Sequence, residues 1–110
     1  MLATLDNGLN VTGTCSNALV SVTVETASGA LTFEGSGLVG KNAGGSTSTT
    51  FPVAVNGGST GVGFNVGPNY GHLDVIGRDK ALGGKLAHID AGAVWSDTGC
   101  RFWGAVTPTT

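Results

Sequence analysis

Charged side chains are scarce in this sequence. Asp, Glu, Lys and Arg make up 11% of its 110 residues, whereas a globular domain usually carries about a quarter. The formal net charge is −2, and the nearest approach to a basic cluster, Arg78 with Lys80 and Lys85, is interrupted by Asp79. Phosphate binding needs several Lys or Arg side chains on one surface, so we expect no nucleic-acid partner.

Long apolar runs are also missing. No run approaches the ~20 residues that a membrane-spanning helix requires, so we expect no membrane partner. The amino terminus, MLATLDNGLN, lacks a basic start followed by a long apolar segment, and we therefore expect no signal peptide in this chain.

Cysteine is limited to Cys15 and Cys100, which lie far apart in the sequence. A bridge between them would close most of the chain and would stabilise the fold by about 4–5 kcal/mol. It would also imply an oxidising compartment. The alternative is a pair of unpaired buried thiols. Neither cysteine has the neighbouring histidines of a zinc motif.

Glycine, valine and threonine are abundant, with 20 glycines in the chain. The clearest pattern is at Ala18–Thr26, where Val20, Val22 and Val24 alternate with polar residues. A period of two with many β-branched residues predicts a strand and excludes a helix. Turn signals recur about every ten residues, which favours a sandwich or barrel. We predict one all-β domain over residues 1–110, an antiparallel β-sandwich or jelly-roll-like barrel of about 8–10 short strands with little or no helix.

Several other segments have predictable roles. Pro52 cannot donate a ladder hydrogen bond, so its strand is predicted at a sheet edge. Leu31 and Phe33 are expected to face the core. The remaining predictions are an edge strand at Leu2–Leu5, a hairpin of Phe51–Val55 with Val62–Val66, a long Gly/Ser/Thr loop over Gly40–Thr50 and a tail over Thr107–Thr110.

Two H-x-D triplets provide the best candidate for a site. Their strand pattern predicts that they pair as an antiparallel hairpin. The register that we predict sets His72 opposite Asp90 and Asp74 opposite His88 on one face, with apolar residues on the other. We refer to these four residues as the His–Asp quartet.

Three roles for the His–Asp quartet can be weighed. Two solvated His–Asp contacts, each worth at most ~1 kcal/mol, need no function at all. A divalent metal site would use the same nitrogens and oxygens. However, four ligands along a flat sheet do not converge easily, so no metal or other cofactor is predicted. The third role is a contact that responds to pH through the histidines.

The aromatic residues suggest a binding surface. Trp95 and Trp103 belong to a predicted hairpin of Ala93–Ser96 with Cys100–Val106, which would bring them near each other, and Tyr70 precedes the first triplet. Exposed rings would form a sugar-stacking platform or a protein-binding anchor, while buried rings would fill the core. The candidate binding residues are Tyr70, His72, Asp74, His88, Asp90, Trp95 and Trp103.

Signatures of catalysis are absent from the sequence. Gly35-Ser36-Gly37 lacks the spacing of a G-x-S-x-G nucleophile motif. The glycines at Gly40–Gly45 lack the pattern of a phosphate-binding loop. We therefore predict a protein that is not an enzyme.

Low charge, high Gly/Thr/Val/Ala content, an initial Met1 and the lack of catalytic motifs are together similar to small all-β virion proteins, such as the decoration or cement proteins of tailed-phage capsids. That resemblance implies a structural role on a repeating protein lattice, with the chain forming a homo-oligomer. Gly40–Thr50, Leu2–Leu5 and the C-terminal tail would then make the contacts.

A second reading is a secreted binding module for carbohydrate or protein. In this case a Cys15–Cys100 bridge holds the domain, and Trp95, Trp103 and Tyr70 lie at its site. The two readings differ in what they require: a formed bridge with exposed Trp favours the extracellular module, and reduced cysteines with buried Trp favour the virion protein.

Overall fold

Two antiparallel sheets pack face to face in the computed structural model, which describes residues 2–16, 19–42, 48–66, 70–96 and 99–108. In chain order the strands are β1 (Ala3–Thr4), β2 (Leu9–Ser16), β3 (Leu19–Thr26), β4 (Phe33–Asn42), β5 (Ser48–Asn56), β6 (Gly61–Val66), β7 (Tyr70–Asp79), β8 (Ala87–Ser96) and β9 (Gly99–Pro108). The four-stranded sheet has the order β1-β2-β3-β6, and the five-stranded sheet has the order β5-β4-β7-β8-β9. The predicted all-β sandwich is confirmed.

Helix is limited, within these described ranges, to a 3₁₀ turn at Lys80–Leu82. In the same ranges no helix is long and apolar enough to cross a membrane.

The core forms between the inner faces of the two sheets. Val20, Val22 and Val24 of β3 are each 0% exposed, as the alternation predicted; Ala18, the first residue of the predicted strand, lies outside the described residues. Burying a valine side chain contributes roughly 1.5–3 kcal/mol. The five-stranded sheet contributes the opposing buried side chains, which include Phe33, Val39, Leu73, Val75, Ile89, Ala91 and Ala93.

Two phenylalanine rings extend from one sheet to the other at places where the facing strand has a glycine. The Phe64 ring of β6 lies over Gly71 of β7, and the Phe102 ring of β9 lies over Gly13 of β2. A methyl group on either glycine would overlap the ring. Because protein interiors are close-packed, the two rings fit only because these glycines have no side chain. The high glycine content therefore serves packing as well as turns.

Buried polar groups tie the loops together at one end of the sandwich. Asn7 donates from Nδ2 to the carbonyls of Gly77 (3.1 Å) and Lys85 (3.0 Å). The hydroxyl of Thr32 donates to Asp79 Oδ1 at 2.6 Å. Asn7 and Asp79 are 4% and 2% exposed, so these bonds replace water that both side chains have lost. The β1–β2 turn is thereby held against the β7–β8 connection.

A disulfide joins the sheets at the other end. Cys15 of β2 and Cys100 of β9 are bridged, with their Cα atoms 5.9 Å apart. Of the two alternatives left open by the sequence, the bridge is the one that forms. It connects the edge strand β9 of one sheet to the other sheet.

The predicted hairpin of Phe51–Val55 with Val62–Val66 is wrong. β5 pairs with β4 in the five-stranded sheet, whereas β6 pairs with β3 in the four-stranded sheet. The reason is that β6 extends the valine-rich inner face of β3, with Val62 opposite Val24. The prediction of an edge position for Pro52 is confirmed, because β5 is the outermost strand of its sheet.

The predicted loop at Gly40–Thr50 is too long. β4 continues to Asn42 and β5 begins at Ser48, with nine residue pairs along their ladder. Residues 43–47 lie outside the described residues. Ser and Thr are compatible with an edge ladder, which is why composition alone misassigned these strand ends.

Two smaller expectations also need correction. Phe33 is buried as predicted, but Leu31 precedes the strand and is 62% exposed. Thr107 and Pro108, predicted to begin the tail, belong to β9 and pair with β8; Thr109 and Thr110 lie outside the described residues.

Replacing both cysteines, as in Cys15→Ser with Cys100→Ser, should lower the free energy of unfolding by about 3–5 kcal/mol, because the bridge restricts the unfolded chain over a separation of 85 residues. Urea denaturation of the oxidised protein and the double variant measures this difference. A loss of less than about 1 kcal/mol would contradict a bridge that stabilises the folded protein in this way.

Candidate functional site

The His–Asp quartet lies on the outer face of the five-stranded sheet, on its two neighbouring strands β7 and β8. Asp74 lies directly opposite Asp90, while His72 lies opposite Gly92. The predicted register is therefore wrong by two residues. A shift of two leaves every side chain on its predicted face, so alternation could not separate the two registers.

Each histidine reaches its aspartate diagonally across the strands. Nε2 of His72 donates to Asp90 Oδ1, and Nε2 of His88 donates to Asp74 Oδ1. These side chains are 39–47% exposed, so each hydrogen-bonded pair is worth at most about 1 kcal/mol. The diagonal pairs offset the repulsion between two carboxylates set directly opposite each other.

The quartet forms two separate pairs. Across the described parts of the chain, no three His, Cys, Asp or Glu side chains are placed to hold a metal ion together. Nor does any described Ser, Thr or Cys hydrogen-bond to either imidazole. The arrangement therefore presents carboxylate and imidazole groups to solvent on a flat surface.

Trp103 lies beside the quartet on the same face. Trp103 is the cross-strand partner of Gly92 of β8, and its indole covers that glycine. A methyl group on Gly92 would overlap Cζ2, Cε2 and Nε1 of the ring. The side chain nevertheless remains 49% exposed. Gly92 in turn lies opposite His72, so an open aromatic surface adjoins the His72–Asp90 pair.

The other predicted aromatics divide between the two faces. Tyr70 of β7 is on the outer face, 43% exposed and opposite Val94. Trp95 pairs with Cys100 and packs against the core. The predicted hairpin does form within β8 and β9, but its two tryptophans point to opposite faces. The structure thus places every predicted site residue except Trp95 on one face, with Tyr70 and His88 at opposite ends of the β7–β8 ladder.

Two exposed apolar residues of this face are not among the predicted site residues. Leu38 of β4 is 51% exposed and lies opposite Asp74, and Ile76 of β7 is 41% exposed and lies opposite His88. The signal was present, because each alternates with a buried valine, Val39 or Val75. Leu38 and Ile76 therefore add apolar surface to the face that carries the quartet.

The outer face of the four-stranded sheet is different in character. Most of its side chains are polar, with cross-strand neighbours such as Thr12 with Thr23 and Thr14 with Ser21, and it also carries the exposed Leu19 at the start of β3. Among the large exposed hydrophobic residues, four lie on the outer face of the five-stranded sheet: Leu38, Tyr70, Ile76 and Trp103. Recognition chemistry is therefore concentrated on one of the two faces.

An open cleft of about 410 Å³ lies between β1 and β9, at the edge where the sheets diverge. Leu2, Phe102 and Val106 contribute to its apolar lining. Asp90 and Trp103 of the outer face also contribute to its lining, so the cleft adjoins the face on which the exposed ring and the polar pairs lie. We therefore place the candidate site on the outer face.

Comparison with known proteins returned no relative: no protein-family model, curated protein or solved structure matches this chain. Function is therefore argued from the geometry of the face itself.

The register of β7 and β8 can be measured directly. Cross-strand Hα–Hα contacts in a nuclear Overhauser spectrum should join Leu73 to Ala91 or Asp74 to Asp90, because these residues are partners in the ladder. Contacts between Asp74 and His88 as direct partners would contradict the observed register.

Substituting Gly92→Ala should displace the Trp103 indole, because the added methyl group overlaps three of its ring atoms. In a Trp95→Phe background, Trp103 is the remaining tryptophan, and we expect its emission to shift to longer wavelength with stronger acrylamide quenching. Ala105→Ser, at an exposed neighbour on the same face, is the control. Unchanged emission in Gly92→Ala would mean that the ring does not lie over Gly92.

Proposed function

We propose that this protein is a non-catalytic, extracellular carbohydrate-binding module. Its binding surface is the outer face of the five-stranded sheet, around Trp103 and the His–Asp quartet. The observation that carries the proposal is the exposed indole, which rests on Gly92 next to the His72–Asp90 pair.

The chemistry of a sugar matches this combination of groups. The C–H groups of a pyranose ring form an apolar face with partial positive charge, which is attracted to the negative face of an indole. The hydroxyl groups around the sugar then donate to carboxylate oxygens and exchange hydrogen bonds with imidazole nitrogens. Trp103 and the His72–Asp90 pair supply these two kinds of contact side by side.

A protein partner fits this face less well than a sugar. The centre of a stable protein interface is depleted of charged residues, whereas this face has four ionisable side chains in its middle. Covering them with a protein surface would remove water from both His–Asp pairs. A polyol replaces the lost water with its own hydroxyl groups, so the cost is smaller.

The disulfide supports an extracellular setting. Disulfides persist in oxidising compartments and are rare where thiols are kept reduced. The bridge between Cys15 and Cys100 meets the first condition that the sequence set for the binding module. The second is met by Trp103, which is exposed, and not by Trp95, which packs against the core. A role on a virion lattice and the formation of a homo-oligomer stay predictions.

Affinity gel electrophoresis tests the proposal. The gels contain hydroxyethylcellulose, xylan, glucomannan, glycol chitin, laminarin, starch or dextran, and we expect at least one of them to retard the protein. Trp103→Ala should weaken binding by about tenfold or more, because a buried tryptophan contact at a binding site is commonly worth at least ~2 kcal/mol.

Leu82→Ala is the matched control. Leu82 is 67% exposed but lies on the 3₁₀ turn after β7, away from Trp103, so retardation should be unchanged. Migration unaffected by all seven polysaccharides, or equal retardation of Trp103→Ala and the unmodified protein, would refute a carbohydrate-binding role for this face.

A further inference from the structure

We propose that two copies of this chain associate through the outer edge of β9, where each β9 pairs with the other as antiparallel strands about a two-fold axis. The proposal concerns the edge of the five-stranded sheet, so it stands independently of sugar binding on the outer face. It also gives the predicted homo-oligomer a defined interface. The observations that carry it are the length and composition of β9 and the opening of the core beside that strand.

β9 is a long edge strand without the usual protection against pairing. It has ten residues, and in the sheet order of the described chain its one neighbour is β8. The stretch from Cys100 to Thr107 has no proline and a single charged residue, Arg101. Edge strands that are long, apolar and poor in charge are the ones that pair with a strand of another chain.

The other three outermost strands each have a feature that discourages pairing. β1 has two residues, β6 has six residues that include Gly61 and Gly63, and β5 has Pro52 at its middle. Short length, glycine and proline all weaken a ladder at a sheet edge. A strand added to this protein should therefore be added at β9.

The core is open to solvent beside this edge. Val106 shares the inner face with Ile89, its partner on β8, yet Val106 is 39% exposed whereas Ile89 is 1% exposed. Leu2, which lines the same cleft between β1 and β9, is 44% exposed. A further strand beside β9 would cover apolar surface at this opening, so it would extend the core as well as the ladder.

The side chains of β9 are complementary to those of a second β9. Cross-strand partners point to the same face, so the two-fold axis between identical antiparallel strands passes through a residue that lies opposite its own copy. With the axis at Gly104, Trp103 lies opposite Ala105 of the second copy, and Phe102 lies opposite its Val106. A larger side chain meets a smaller one in each pair, and the inner-face pair is wholly apolar.

The charge on β9 also favours this arrangement. Arg101 lies near one end of the strand, so antiparallel pairing about Gly104 keeps the two guanidinium groups about 20 Å apart along the strands, each opposite Thr107 of the other copy. Parallel pairing in register would place the two cations side by side, where they repel. A second copy thus supplies by symmetry an apolar inner row and separated charges, and we assign the edge to it.

Analytical ultracentrifugation of the unmodified, oxidised protein tests the proposal. Over loading concentrations from about 1 µM to about 1 mM, the range in which small interfaces become occupied, the mass should rise from 10.8 kDa towards twice that value. Val106→Lys should raise the dissociation constant at least about tenfold, because dimerisation would bury an ammonium group against apolar surface. In the monomer the same position is 39% exposed, so the lysine can reach water.

Leu19→Lys is the matched control. Leu19 is 40% exposed, close to the value for Val106, but it begins β3 in the other sheet. This variant should dimerise as the unmodified protein does. Circular dichroism checks that both lysine variants fold.

Hydrogen exchange followed by nuclear magnetic resonance locates the interface without any substitution. Backbone amides of β9 that point away from β8 should exchange severalfold more slowly at about 1 mM protein than at about 50 µM, because the second copy accepts their hydrogen bonds. The amides of β5, at the opposite edge of the same sheet, are the internal control and should exchange equally fast at both concentrations.

Three results would overturn the proposal. The first is the mass of a single chain at every concentration, which would also be the result if the edge accepts only a strand from a different protein. The second is a Val106→Lys variant that folds and dimerises as tightly as the unmodified protein. The third is a dimer whose added protection falls on β5 instead of β9.

Discussion

The strict alternation of β7 and β8 between core and solvent is the constraint on which the rest of the structure depends. Leu73, Val75 and Ile89 are at most 1% exposed between the sheets, and burial of such side chains is the main favourable term in folding. With those residues buried, the intervening histidines and aspartates must lie on the opposite, solvent-exposed face of the sheet. The same interaction that stabilises the sandwich therefore displays the His–Asp quartet.

Binding surfaces gain from a rigid support, and this face has one. Its central strands are paired on both sides, its β9 edge is anchored by the disulfide, and the Asn7 hydrogen bonds hold the far end. A face that is already ordered loses little conformational entropy when a ligand binds. Gly92 contributes at the level of one side chain, because its missing methyl group is what lets the indole lie on the sheet.

Sequence alone was sufficient for what depends on alternation and local turn chemistry. It predicted the sandwich, the inner face of β3, the edge position of Pro52 and the shared face of the quartet. It failed where a decision depends on partners distant in the chain. β6 was assigned to the wrong sheet, and the β7–β8 register was two residues off. Trp95 and Trp103 point to opposite faces of the sheet, which was not predicted. The face of Trp95 is set by the unbroken strand β8 from Ala87 to Ser96, whereas the predicted strands end at Asp90 and begin again at Ala93.

The most direct test of a sugar-binding outer face is the pair of indole Nε1–H signals in a proton–nitrogen correlation spectrum. Trp103 is half-exposed on the outer face and Trp95 packs against the core, so one signal reports on the site and the other on the interior. During titration with the soluble polysaccharide that retards the protein most strongly, the account predicts that the Trp103 signal shifts progressively while the Trp95 signal stays in place. A stationary Trp103 signal, or movement of Trp95 alone, would contradict it.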